Sequence, residues 1–377
     1  MKIVKYSPIY GNNIGDLMIS KCIENLFLRH GIIIESRDFL MRDVNSFEER
    51  NIKDNLRMSA SFFLQNRLPW LFYQIKKTKF ELSSSSKKYI SSLDGVDGVI
   101  FGGGNILMSN KGCDYAYRVV RMLKSTPDNI SKNLVFCGAG PFEFEEKKLI
   151  KSLIKLSDSI FVRDEVSYEY FDNNEKVKKI ADPVFTLSDI SVARNKSSKY
   201  IGVNIIANYF SQSEILEFAK QLCEISEKLN MPIKIINTAF PQDSIAAVKL
   251  KNSVKLINKN ILIKIEDAKS SPQELADIYS DVGVFIGCRM HSIIFALTYG
   301  IPSIGFMWDD KVSSMFDEFY KDKKIVNKIV LSKNKFKLDN AVLFAMDIDQ
   351  MSYLNEIKSS IYLGVEKIVC NLNRSLK

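Results

Sequence analysis

Two successive series of short apolar runs, each run followed by a stretch of helical periodicity, constrain this chain more than any other feature. Such an alternation is buried by a parallel sheet wrapped in helices. Lys2–Ser7 reads as the first strand. Residues 15–30 carry Ile19, Ile23, Leu26 and Phe27 on one helical face, and Gly31 stands where a left-handed cap ends the helix. Ile32-Ile33-Ile34 is the expected second strand, followed by strands at Val96–Phe101, Asn133–Cys137, Ser159–Val162 and Val177–Ala181. From Ser188 to Lys199 the chain loses its bulky apolar residues. A second series then predicts strands at Tyr200–Ile206, Pro232–Ile236, Ile261–Ile265, Val282–Ile286 and Ser303–Phe306, with helices near 211–229, 272–280, 290–299 and 311–319.

The length of 377 residues fits two domains better than one core. The expected fold class is therefore α/β, with a domain over 1–190, a second over 199–349, and a helical segment over 350–377 packing back across the hinge. Tandem α/β halves are expected to face each other across a cleft that holds a ligand at the carboxyl ends of their strands.

A formal charge of +9 raises nucleic acid as a partner, but no basic run is interleaved with stacking aromatics, so none is expected. Residues 41–90 hold ten Lys/Arg against five Asp/Glu, a local +5. Within that region Phe62, Phe63, Leu64, Leu68, Trp70, Leu71, Phe72 and Ile75 crowd beside Arg67, Lys76, Lys77 and Lys79. A core helix pair interrupted at Pro69 accounts for them. The other reading is a basic, aromatic surface that rests peripherally on the inner membrane face or grips a lipid-linked acceptor. The charged N-terminus predicts no signal peptide, and no run reaches a membrane-spanning length, so a cytoplasmic protein is expected. Cys22, Cys113, Cys137, Cys223, Cys288 and Cys370 lack metal-ligand spacing, which predicts reduced thiols and no metal site.

Five segments carry candidate chemistry. Gly11-Asn12-Asn13-Ile14-Gly15-Asp16 lies between the first strand and first helix, where backbone N–H groups suit an anion and Asp16 suits a cap or an acid–base role. Gly102-Gly103-Gly104-Asn105 ends a strand, and three consecutive glycines suggest close approach to a ligand. Arg163-Asp164-Glu165-Val166-Ser167 follows another strand and points Arg163 at the expected cleft, while Asp182-Pro183 sets a turn. Gly287-Cys288-Arg289-Met290-His291-Ser292 is the strongest: Arg289 and His291 stand at the start of a helix whose N–H groups favour phosphate or carboxylate. Lys311 adds a cation after the next strand.

In this order the segments resemble the polysaccharide pyruvyl transferase family, over residues 11 to about 319. The family's Asn-x-Gly-Asp appears as Asn13-Ile14-Gly15-Asp16, its triple glycine as Gly102-Gly103-Gly104, its Arg-Asp-x-x-Ser as Arg163 to Ser167, its Asp-Pro as Asp182-Pro183, and its Arg-x-His as Arg289-Met290-His291. The resemblance implies two Rossmann-like domains of the GT-B type, the first on the acceptor side and the second on the donor side. It implies transfer of the pyruvyl group of phosphoenolpyruvate to two hydroxyls of a sugar as a ketal, in cell-surface polysaccharide synthesis. The roles expected on that basis are catalytic for His291, Asp16, Arg163 and Arg289, and substrate-binding for Asn13, Gly15, Gly103, Gly104, Asn105, Ser292 and Lys311. The donor is expected between Arg163 of one domain and Arg289-His291 of the other, with phosphoenolpyruvate as substrate and neither metal nor redox cofactor. The rivals are a GT-B glycosyltransferase using a nucleotide sugar and a non-catalytic binding component of the polysaccharide machinery.

Overall fold

A computed structural model of the chain describes residues 1–10, 13–42, 65, 67–110, 112–172, 174–194, 199–207, 209–240 and 242–375. It divides into two compact units, the first formed by Met1–Gly11, Ile23–Asp182 and Tyr362–Lys377, the second by Asn12–Cys22 and Pro183–Ile361.

In the first unit the strands are β1 (Ile3–Ser7), β2 (Ile34–Asp38), β3 (Gly98–Gly102), β4 (Ser131–Cys137), β5 (Ser159–Val162) and β6 (Val177–Lys179). They form one sheet in the order β2-β1-β3-β4-β5-β6, every pair parallel. The inner strands β1, β3, β4 and β5 are buried along their whole length, as covering both faces of a parallel sheet requires. Helices α1 (Ile14–Leu28), α2 (Pro69–Leu82), α3 (Tyr115–Ser125) and α4 (Glu146–Leu156) are interspersed with these strands in sequence. A short parallel ladder pairs Leu107–Ser109 with Ala139–Phe142. The sheet's core is continuous from Val4 and Tyr6 through Phe101, Leu107, Leu134 and Leu153 to Val162 and Val177.

The second unit repeats the plan with β7 (Tyr200–Val203), β8 (Ile233–Asn237), β9 (Ile263–Asp267), β10 (Val282–Gly287), β11 (Ser303–Phe306) and β12 (Val330–Leu331). Their order is β9-β8-β7-β10-β11-β12, again all parallel. The order turns from descending to ascending between β7 and β10, the switch point where open α/β sheets bind ligands beyond the carboxyl ends of the strands. Around this sheet lie α5 (Gln212–Leu229), α6 (Gln242–Ile257), α7 (Pro272–Tyr279), α8 (Met290–Thr298) and α9 (Asp310–Tyr320). Helix α8 is buried at every position from Ser292 to Thr298, which only an apolar helix enclosed on all sides tolerates. The 3-10 segment Pro183–Asp189 covers part of it, and Thr298 Oγ1 donates to the Phe185 carbonyl at 3.0 Å.

Two expected strands shift. Ile32-Ile33-Ile34 gives way to Ile34–Asp38, and Ile261–Ile265 to Ile263–Asp267. Both are edge strands, so neighbouring layers demand less apolar surface there, and Ile33 stands 78% exposed. The apolar run locates the inner strands well and the edges poorly. The change of unit falls between Asp182 and Pro183, ahead of the small polar stretch at 188–199, and residues 12–22 group with the second unit although they lie near the start of the chain. The last helix, Gln350–Ser375, is α10; it has Leu354, Ile357, Ile361, Val365, Ile368 and Leu372 buried at helical spacing, with residues to Ile361 in the second unit and those from Tyr362 in the first. Of the aromatic stretch 60–80, residues 60–64 and 66 lie outside the described residues. Gln65 and Arg67 are helical, Leu68 is not, and Pro69 begins the next helix, α2, so the helical stretch is interrupted at Pro69 as expected, where its missing N–H costs nothing. Helix α2 buries Phe72, Tyr73 and Phe80 and leaves Trp70, Leu71 and Ile75 about half exposed. Among the described residues no helix is long and apolar enough to cross a membrane.

The packing has two checkable consequences. A Cβ at Gly102 would lie 2.5 Å from the Val135 carbonyl oxygen of the neighbouring strand, where backbone has little room to yield. Gly102→Ala is predicted to destabilise the protein by about 1–3 kcal/mol, read as a lowered thermal or denaturant midpoint. Five cysteines, Cys22, Cys113, Cys137, Cys223 and Cys288, are free and buried, and only Cys370 is exposed. Burial pushes the Cys137 and Cys288 thiols up to about 12. A thiol reagent should therefore label Cys370 alone in the native protein and the other five only after unfolding.

Candidate functional site

The second unit's switch point gathers the ends of three strands around one carboxylate. Asn204 follows β7, Thr238 and Ala239 follow β8, and Arg289 follows β10. Asp243, in the first turn of α6, is fully buried. Its Oδ2 accepts from the backbone N–H groups of Thr238 at 3.0 Å and Ala239 at 2.9 Å and from Asn204 Nδ2 at 3.3 Å. Arg289 Nε donates to Asp243 Oδ1 at 2.7 Å and Oδ2 at 3.0 Å. The Asn204 amide, whose Nδ2 also donates to the Ile236 carbonyl at 2.9 Å, accepts the Arg289 backbone N–H through Oδ1 at 3.0 Å. Arg289 is thus held at its backbone and at Nε. Its side chain is 22% exposed, and Nη1 and Nη2 donate to no acceptor among the described residues.

The Asn13–Asp16 turn docks beside it, within the same unit. Ile14 N–H donates to the Thr238 carbonyl at 3.0 Å, and Asn13 bridges Ala239. Asn13 closes its own turn: Oδ1 accepts from Gly15 N–H at 3.1 Å, and Nδ2 donates to Asp16 Oδ2 at 3.2 Å. A Cβ at Gly15 would lie 2.6 Å from Cγ of His291, with Nδ1 closer still. Glycine is required at this position because the imidazole occupies the space of a side chain. Asn13, Gly15, Arg289 and His291 are therefore neighbours, while residues 11 and 12 of the same motif lie outside the described residues. Ser292, expected to bind substrate, is buried with its hydroxyl donating to the Arg289 carbonyl at 2.6 Å, so it closes the first turn of α8 instead. Lys311 lies in the first turn of α9, its backbone N–H donating to Asp309 Oδ1 at 2.9 Å.

In the first unit the expected motifs support one another. Gly103 and Gly104 take φ of +83° and +67°, which suits glycine, and Gly102 has no space for a Cβ; backbone geometry explains all three without a ligand. Arg163 does not stand free at its strand end: it is 4% exposed, with Nη1 3.2 Å from Asp182 Oδ2 and Nε 3.5 Å from Asp164 Oδ2. Two carboxylates balance its charge. Asp164 also caps the next helix, accepting from Ser167 N–H at 2.7 Å, and the Ser167 hydroxyl accepts from Ala139 N–H at 2.7 Å. Asn105 Nδ2 donates to the Gly140 carbonyl at 2.8 Å, and a Cβ at Gly138 would lie 2.5 Å from Asn105 Oδ1 and 3.2 Å from Arg163 Nε.

Asn204, Thr238, Asp243 and Gly138 escape the sequence reading. Only Asn204, a polar residue inside an otherwise apolar strand run, leaves a local signal. Among the described residues no group of three or more His, Cys, Asp or Glu side chains is placed to hold a metal ion.

A family model described as polysaccharide pyruvyl transferase matches residues 13–310. No curated protein matches the sequence. Among solved structures the chain is similar to a glycosyltransferase from Rickettsia africae, at 14% identity and a TM-score of 0.53 over 100% of this chain and 98% of that one. It is also similar to Anabaena HepE in complex with UDP, at 11% identity and a TM-score of 0.53 over 98% of this chain and 100% of that one. Identities this low speak to the fold alone, and the fold is that of two Rossmann-like α/β units in the GT-B class. The chain spans 56% of the length of a chain in the Streptococcus agalactiae Gap123 glycosylation complex and 58% of TarM.

The contact between Gly15 and His291 is directly testable, since His30 and His291 are the only histidines. Gly15→Ala is predicted to move the His291 imidazole resonances in NMR spectra and to leave those of exposed His30 in place. The added methyl should cost about 1–3 kcal/mol of stability. Unmoved His291 signals would mean that the turn does not rest on the imidazole.

Proposed function

This chain belongs to the polysaccharide pyruvyl transferase family, and from that premise we propose that it transfers the pyruvyl group of phosphoenolpyruvate to two hydroxyls of a saccharide. The observation that carries the reading is the guanidinium of Arg289, held at Nε by Asp243 while its two terminal amino groups donate to no acceptor among the described residues, at the start of helix α8 and two residues from His291. A fork of N–H donors and a helix N-terminus suit the phosphate and carboxylate of the donor. Arg163, with its charge balanced by Asp164 and Asp182, is assigned a structural part in this proposal.

In the proposed reaction the donor's methylene carbon takes a proton and becomes a methyl group. Positive charge develops on the carbon bearing phosphate, where one sugar hydroxyl adds. Phosphate leaves with its bridging oxygen, and a second hydroxyl closes the ketal. Of the two hydroxyl protons, one balances the new methyl hydrogen and the other leaves on phosphate. The chemistry needs a general acid and a general base, for which His291 and Asp16 are the candidates. Arg289 lowers the cost of the charge that builds on the departing phosphate.

Phosphate release from phosphoenolpyruvate, measured with and without a panel of glycan acceptors, tests the proposal. Acceptor-dependent release is expected from the wild type, and a fall of about a hundredfold or more from His291→Ala. Turnover of a nucleotide sugar with no consumption of phosphoenolpyruvate would sink the reading.

A further inference from the structure

We propose that Asp243 is the positioning residue of the anion site: it acts on substrate through Arg289, by aiming the guanidinium. The inference deepens the pyruvyl transfer reading, on which it rests for the identity of the anion.

Asp243 is fully buried and lies in no segment that the sequence marks. Its carboxylate accepts from Thr238, Ala239, Asn204 and Arg289, and so joins the loops that follow β7, β8 and β10. Both oxygens share Nε of Arg289, at 2.7 and 3.0 Å. An arginine gripped at Nε has its plane and its fork direction set, which leaves Nη1 and Nη2 to make the paired bonds that planar anions accept. The Asn204 Oδ1 bond to Arg289 N–H fixes the other end of the side chain.

Charge alone argues the opposite way. A carboxylate this close to a phosphate site repels the ligand, so simple electrostatics predicts tighter anion binding when the charge is removed. Aiming predicts weaker binding, because an amide at 243 offers one acceptor oxygen where the carboxylate offers two and turns an NH2 group toward the guanidinium. The two effects have opposite signs.

The experiment measures calorimetric binding of inorganic phosphate to the full chain as wild type, Asp243→Asn, Arg289→Ala and the double variant, with thermal melts alongside. Expected are weakening of about tenfold or more from Asp243→Asn when Arg289 is present, and no further change from it when Arg289 is alanine. In Asp243→Asn the KM for phosphoenolpyruvate should rise and kcat should fall, because the misaimed Arg289 serves both donor binding and the departing phosphate. Unchanged or tighter phosphate binding in Asp243→Asn overturns the proposal. So does equal weakening in both Arg289 backgrounds, and so does a wild type that binds no phosphate. Should Asp243→Asn fail to fold, Arg289→Lys decides: a lysine keeps the charge without the held fork and should bind phosphate as weakly as Arg289→Ala, whereas wild-type affinity overturns the idea. A wild type that binds phosphate but never consumes phosphoenolpyruvate sinks the pyruvyl transfer reading and leaves the role of Asp243 standing.

Discussion

The ion pair between Asp243 and Arg289 is the interaction on which the second unit's site depends. A carboxylate with no exposed surface is tolerated only when its lone pairs are met, and here two backbone N–H groups, one amide and one guanidinium meet them. Because those donors come from the ends of three different strands, the pair also sets how the loops beyond the sheet approach one another. The Thr238 carbonyl, whose N–H is held by Asp243, is the group that receives Ile14, so the Asn13–Asp16 turn inherits its place from the same carboxylate.

Burial supplies the rigidity that this arrangement needs. Helix α8 is buried from Ser292 to Thr298, the sheet order switches beside it, and Asn204 continues the ladder between the strands through bonds to Ile286 and Cys288. Side chains at the start of such a helix cannot drift without disturbing a close-packed core. Gly15 adds a steric condition: the turn approaches His291 so closely that any side chain there would displace the imidazole.

The first unit places a different demand on its motifs. Arg163, Asp164 and Asp182 are joined by ion pairs, Asp164 is joined to Ser167 by a helix cap, and the glycines at 102–104 answer to strand contact and left-handed backbone. Residue types that suit chemistry also suit the joining of strand ends, and only their partners distinguish the two. An arginine at the carboxyl end of a strand looks the same in sequence whether it faces a ligand or two carboxylates.

Alternating apolar runs were enough to read the α/β class, the inner strands and most helices of the second unit, because burial on both faces leaves a continuous apolar signal that survives in one dimension. The family motifs marked Asn13, Gly15, Arg289 and His291 as site residues, but marked Arg163 and the triple glycine equally and did not make the Asn13–Asp16 turn a neighbour of His291. Edge strands slid by about two residues, since a half-covered strand is not obliged to be apolar. Asp243 and Gly138 were invisible for a related reason: their importance lies in partners that are distant along the chain, such as Arg289, 46 residues away. Local pattern determines which segments become strands and helices. Tertiary structure alone decided which arginine is held with its fork available and which is enclosed by carboxylates, because charge balance and burial arise only when separated segments meet.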